Sequence, residues 1–444
     1  MALLGTDRRV LTLAFARMID AVGNSFLIVV LPQFLDEVVL DASGGAGAAA
    51  TTGAASAASG AGGTEILGVA VAQSILIGVA LSLFGFLNSF GQPFTGRLSD
   101  RTGKRKAFIL AGLALLGVAS GAYVFAESYA TVLVLRMLQG VGAALAIPAT
   151  VALVNELATD ATRGGNFGVF NTFRLIGFGF GPLVAGFLIE LGPYATPAGT
   201  VSGFTAAFGV ALLGAATSFA LVALFVSDPE ATQARAGDDL AVSVADADEG
   251  GLDPVFTLGL ATLFMAIGIG LFATLEPQLS ERLRQGSVLF GLEFAAVVLA
   301  NVVFQVPIGR ASDTYGRRPF LVVGFAVLVP SLLAQGFVTT PAGMVAARFV
   351  QGIAVAMVFA PSLALAGDLA KEGESGTKLS ILTMAFGLGT AIGPLASGFL
   401  VTFGFVWPFA FGSALAAIGL VLVYTQVEET VSEPEEIAAP VPQD

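Results

Sequence analysis

GRLSDRTGKRK at 96–106 returns as GRASDTYGRRP at 309–319, each time wedged between two long apolar stretches. A charged hairpin recurring at the same place in two apolar contexts marks an internal duplication. Working outward, the flanking runs are about 20 residues or longer, enough for helices to cross a ~30 Å hydrocarbon layer. They lack the strict polar–apolar alternation of barrel strands. Within lipid each backbone group must be bonded inside its own segment, so the runs read as helices. The whole chain agrees: 444 residues, 55% hydrophobic, 12% charged, mean hydropathy +0.86.

Twelve spans are expected. The first half gives 10–35, 66–94, 107–126, 130–155, 165–190 and 204–227; the second gives 254–279, 287–308, 320–338, 342–366, 378–402 and 406–426. The Gly/Ala/Ser/Thr tract at 40–64 reads as a flexible loop. Segment 228–253 carries a net charge of −7 and reads as an acidic linker; the tail 428–444 carries −6 and reads as disordered. These two pieces account for the chain's net charge of −12, so acidity belongs to the water-exposed segments. This gives an N-terminal bundle at 1–227 and a C-terminal bundle at 254–427.

Sorting the bases fixes an orientation. Loops on the N-terminal side hold fourteen Lys and Arg, and the opposite loops hold only Arg282 and Arg284. The positive-inside bias then puts both termini in the cytoplasm of a multi-pass protein of the cytoplasmic membrane. Arg8 and Arg9 precede a run too long for the apolar core of a cleavable signal. With no cysteine and no histidine, disulfides, thiol chemistry and histidine metal sites are excluded, and any proton relay must run on Asp and Glu.

The halves align beyond the loop. Asn88 pairs with Asn301 at the loop's own offset, 213; RMLQG at 136–140 matches RFVQG at 348–352; Glu156 matches Asp368; GPLVAGFL at 181–188 matches GPLASGFL at 393–400. Six spans repeated in the same orientation make an all-α membrane protein of two six-helix bundles, related by a pseudo-twofold axis along the membrane normal.

These motifs resemble those of the major facilitator superfamily, over nearly the whole chain. Residues 96–105 fit its loop signature G-x-L-x-D-R-x-G-[RK]-[RK], while the second copy departs from it at Ala311 and Thr314. Arg136, Gln139, Gly140, Gly142, Ala143 and Ala144 fit its fourth-span pattern. Gly168, Gly177, Gly181, Pro182 and Gly186 fit its fifth-span antiporter pattern, with Ala185 replacing one glycine. The resemblance implies a gating loop of Gly96, Asp100, Arg101, Gly103, Lys104 and Glu156. In it Asp100 faces a helix N-terminus of the other half, and Asp100, Lys104 and Glu156 form a charge relay. Gly309, Asp313, Arg317 and Asp368 would be the weaker copy. The blander reading is that the bases only anchor topology. For Gly177 and Gly181, four apart on one helix face, the alternative to an antiporter role is ordinary close packing.

Charges inside spans are the other candidates, each costing roughly 2.5–3.5 kcal/mol at a helix centre on insertion scales. Arg17 and Asp20 share a helix face and can pair, whereas their seventh-span counterparts are Thr262 and Met265. Asp20 is a proton or substrate site or else half of a structural ion pair, with Arg174 an alternative partner. Arg136 and Arg348 recur in both halves, which favours scaffold, yet Arg136 resembles the family arginine tied to proton coupling. Glu293 is a second carboxylate with no evident partner. Asn88 and Asn301 lie at equivalent depths, suited to hydrogen bonds across helices. The resulting expectation is a monomeric secondary transporter in the lipid bilayer, exchanging a small organic solute for protons. An uptake symporter and a membrane sensor remain open. No cofactor, metal, nucleic acid or enzymatic activity is expected.

Overall fold

Five of the long apolar helices start at a residue whose side chain caps them. Asp7 caps α1 (Arg8–Ser25). Ser128 caps α5 (Tyr129–Glu156) and Ser202 caps α7 (Gly203–Phe225), each through the N–H three residues on. Asp253 and Thr340 cap α8 (Pro254–Gly270) and α12 (Pro341–Asp368), both of which open on a proline that has no N–H to lose. The computed structural model describes residues 7–35, 63–66, 69–157, 163–197, 199–229, 252–369 and 375–430. The other helices are α2 (Leu27–Phe34), α3 (Gln73–Thr102), α4 (Arg105–Ala122), α6 (Arg163–Glu190), α9 (Glu276–Leu283), α10 (Ser287–Tyr315), α11 (Arg317–Gln335), α13 (Ser375–Leu400) and α14 (Val406–Gln426).

Among the described residues twelve helical segments are long and apolar enough to cross a membrane. The first is α1 and α2 joined at Phe26, and the seventh continues from α8 through a 3₁₀ turn at Leu271–Thr274. The short α9 follows it, so the expected span 254–279 ends earlier and is succeeded by a separate helix. The second span starts at Gln73, not 66. The residues before it form an antiparallel hairpin of β1 (Gly63–Ile66) and β2 (Val69–Ala72). A second hairpin, β3 (Tyr194–Thr196) and β4 (Gly199–Val201), links α6 to α7. Most of the tract 40–64, the linker 228–253 and the tail 428–444 lies outside the described residues.

Packing repeats as the sequence does. In the first half α1 packs on α6 and α7, α5 on α3 and α4, and α4 on α7. In the second, α8 packs on α13 and α14, α12 on α10 and α11, and α11 on α14. The halves meet through α6 with α10 and α3 with α13, two contacts that are each other's counterpart. That exchange is the pseudo-twofold relation.

Candidate functional site

The duplicated loops and the chain's first helix start share one face, here the loop face; the other is the far face. At the loop face Gly103 takes the left-handed conformation (φ 66°) that ends α3, where a side chain would be strained. Arg105, the first residue of α4 and only 2% exposed, then sits between two carboxylates. It pairs with Asp100, and its Nη2 is 2.8 Å from Glu156 Oε1. Lys104 was the expected base of this relay. It stands one residue too early, at the helix cap, and points into solvent. In the second copy Arg317, the first residue of α11, pairs with Asp313 at 3.4 Å and with Asp368 at 2.7 Å. Both bridging arginines therefore open their helices. Among the described residues, the charged partner of Asp100 is Arg105 of its own half. Arg101 is exposed, and Gly96 and Gly309 have room for a side chain.

Each half also closes on itself at this face. Asp228 accepts the Lys106 N–H at 2.8 Å, and Lys106 Nζ donates to the Ala223 carbonyl at 2.7 Å. Glu429 accepts the N–H groups of Arg317 and Arg318 at 3.0 and 2.9 Å, and Arg318 donates to the Tyr424 carbonyl at 2.7 Å.

Within the first bundle Asp20 is 5% exposed and pairs with Arg17. Arg174 is not its partner; both Nε and Nη2 of Arg174 donate to Asn171 Oδ1, at 3.1 and 2.8 Å. Asp20 lines a small cavity inside the bundle with Asn24, Ser120 and Gln139. Arg136 braces the bundle: it donates to the carbonyls of Ala80 (3.0 Å) and Leu81 (3.1 Å) and to Gln139 Oε1 (3.2 Å). Arg348 repeats the brace, donating to Gln351 Oε1 at 2.8 Å and to the Glu293 carbonyl at 3.4 Å. Glu293 is fully buried and accepts from Gln285 Nε2 at 3.0 Å. By the repeat offset it stands where Ala80 stands in the first half. Asp20 and Glu293 are thus buried carboxylates without a counterpart in the other bundle. Asn88 bonds Gln92 on its own helix at 3.1 Å, not a neighbouring helix, and no bond of Asn301 is seen among the described residues.

The hydrogen bonds between halves cluster at the far face. Gln33 Nε2 donates to Glu276 Oε1 at 2.6 Å and also to Ser287 Oγ. Glu190 Oε1 accepts the Val288 N–H at 2.9 Å. Ser74 Oγ donates to the Gly398 carbonyl at 2.8 Å. The seam buries Glu276 to 1% exposure. Backbones touch along this seam: a methyl on Gly186 would come 2.5 Å from Ser287 O, and one on Gly398 2.2 Å from Ser74 O. The seam runs inward to mid-helix, where Gly179 meets Val298, Phe178 meets Phe294 and Gly387 meets Ser89. Gly177 and Gly181 instead seat α6 on α1, facing Met18 O and Ser25 Oγ. Pro182 lies on the α10 side, its carbonyl against Gly291.

A family model described as the Major Facilitator Superfamily matches residues 13–250 and 258–442. The synaptic vesicular amine transporter of Homo sapiens is 27% identical over 350 residues, 76% of this chain and 63% of that protein. Multidrug resistance protein 2 of Bacillus subtilis is 27% identical over 179 residues, 40% of this chain and 45% of that protein. The chain thus spans about half to two-thirds of the length of these curated relatives. Among solved structures, the inward-open xylose transporter XylE from E. coli superposes with a TM-score of 0.68 at 16% identity, over 95% of this chain and 96% of that one.

Proposed function

The chain belongs to the major facilitator superfamily and is a transporter of a small solute rather than an enzyme; from that premise we propose that it exports an organic solute in exchange for protons. Bundles 1–227 and 254–427 rock about the seam as a monomer in the cytoplasmic membrane, with the loop face in the cytoplasm. Asp20 carries the coupling proton. The observation behind this is its burial beside Arg17 in a bundle whose twin has Thr262 and Met265 there. The fold therefore does not need the pair, and a buried charge that the fold does not need is a functional group by default. With no histidine in the chain, a carboxylate is the group able to alternate between charged and neutral. The multidrug relatives support export as the direction. The closed far-face seam supports a state open toward the loop face.

Asp20→Asn in proteoliposomes tests the assignment. Accumulation driven by a pH gradient should vanish while solute exchange at equilibrium persists, and Asp20→Glu should keep part of the driven rate. An Asn variant that still concentrates solute under an imposed gradient would make Asp20 structural and move the role to Glu293.

A further inference from the structure

Arg174 is a cation within a membrane span whose polar contact is a neutral amide. Among the described residues it has no carboxylate partner, because Arg17 takes Asp20. Gly177 packs against Met18 O, bringing α6 onto α1, and the Arg17 charge acts on Arg174. Two guanidinium groups and one carboxylate thus share this depth of the bundle. Leaving the second cation uncompensated costs roughly 2.5–3.5 kcal/mol on insertion scales, and the Arg17 charge adds repulsion.

The position of Arg174 on its helix says what could compensate it. Residues 190, 186, 182, 179 and 178 of α6 all meet the other half. Arg174 is four residues before Phe178, so it continues that face by one turn. Toward the loop face the α6–α10 seam includes Gly179 against Val298 and Phe178 against Phe294, the two rings 5.4 Å apart. Asn301 stands one turn beyond Val298 on α10. Arg174 therefore lies on the loop-face side of these two contacts. The lipid-facing stripe of α6, at Ile176, Phe180, Val184 and Phe187, is on another side of the helix.

We infer that Arg174 is the anion subsite of the transported solute, and that the solute is an organic anion: a planar carboxylate on an apolar, ring-bearing body. The guanidinium fork matches a carboxylate through two parallel hydrogen bonds, and the half-buried Phe178 offers a ring edge to the body. Asn171 holds the fork in place from one turn away. The inference rests on the reading that the space between the halves is the solute path, and it holds for either direction of transport.

Calorimetric titration of the full-length protein in nanodiscs tests it without transport. The probes are 2-naphthoate, its neutral twin 2-naphthamide and the cationic 2-naphthylmethylamine. Naphthoate should bind at least about tenfold tighter than either twin, the worth of a hydrogen bond to a charged group. Arg174→Gln should erase that preference, and Arg174→Lys should keep part of it, as a point charge without the fork. Asp20→Asn should bind naphthoate as tightly or more tightly, since it leaves Arg17 unpaired. Absence of naphthoate binding, a preference for the amine, or a preference that survives Arg174→Gln overturns the assignment. Should Arg174→Gln fail to fold, undiminished preference in Arg174→Lys together with weakened binding in Asp20→Asn overturns it as well. Naphthoate that binds through Arg174 but is never transported would instead sink the transport reading and leave the subsite standing.

Discussion

Replacing Glu190 by alanine should loosen the far-face seam and shift the protein toward the state open at the far face. The first turn of α10 begins at Gly286, which has no side chain to cap it. Glu190 from the other half supplies the acceptor, at 2.9 Å from the Val288 nitrogen. Loss of a helix cap costs about 1 kcal/mol. The carboxylate is exposed, so its attraction to the helix dipole adds only about 0.3 kcal/mol. Because the cap exists only while the halves touch, nearly all of this falls on one side of the conformational equilibrium. A shift of about 1 kcal/mol changes the population ratio about fivefold. Glu190→Gln keeps an acceptor and loses the charge, so its shift should stay under about twofold. The chain has no cysteine, so a single reporter, Ala391→Cys, is clean. Ala391 is 1% exposed and abuts Gly85 across the second seam. Its labelling by an impermeant maleimide from outside should quicken about fivefold in Glu190→Ala and hardly at all in Glu190→Gln. Equal labelling in wild type and Glu190→Ala, or faster labelling in Gln than in Ala, would refute the cap as a lock.

Other expectations follow from the same geometry. Arg105→Gln, which strands Asp100 and Glu156, should lower stability by about 1.5–3 kcal/mol, whereas Lys104→Gln should stay within about 0.5 kcal/mol; thermal melting of the purified variants separates them. Gly181→Ala would place a methyl 1.9 Å from Ser25 Oγ and 2.6 Å from Val22 O, while Gly168 has open space. Gly168→Ala should therefore express and melt like wild type and Gly181→Ala should not, although both glycines belong to one motif.

The duplication was legible because it is local: two copies of a loop, two Arg–Gln pairs, two Gly–Pro helices. It even contained the answer to the Lys104 question. The repeat offset is 213 at Asn88 and at the loop glycine, but 212 at Arg136 and Glu156. One extra residue therefore sits in the first loop, just after Gly103, and Arg105 becomes the true equivalent of Arg317. Contacts between the halves were not legible. Gln33 and Glu276 are 243 residues apart, and nothing near Glu276 in the chain reveals that another bundle covers it. The break at Phe26 escaped for the opposite reason: an apolar run reads the same whether its helix is continuous or joined. Arg174 was visible as a buried charge, but its lack of a carboxylate depended on which residue Asp20 would choose.

The caps formed by Asp228 and Glu429 have a consequence for assembly. Each joins the start of the third span in its half to the residues just past the sixth, so each bundle ties its own ends together without borrowing from the other. Covalent continuity between the bundles then serves stoichiometry and proximity more than architecture. Two separately translated pieces, divided between 229 and 252, are expected to fold as separate bundles. They would need to find each other only along the glycine-lined seam. Recovery of transport on co-expression of the two pieces would show that each bundle's own contacts suffice to build it.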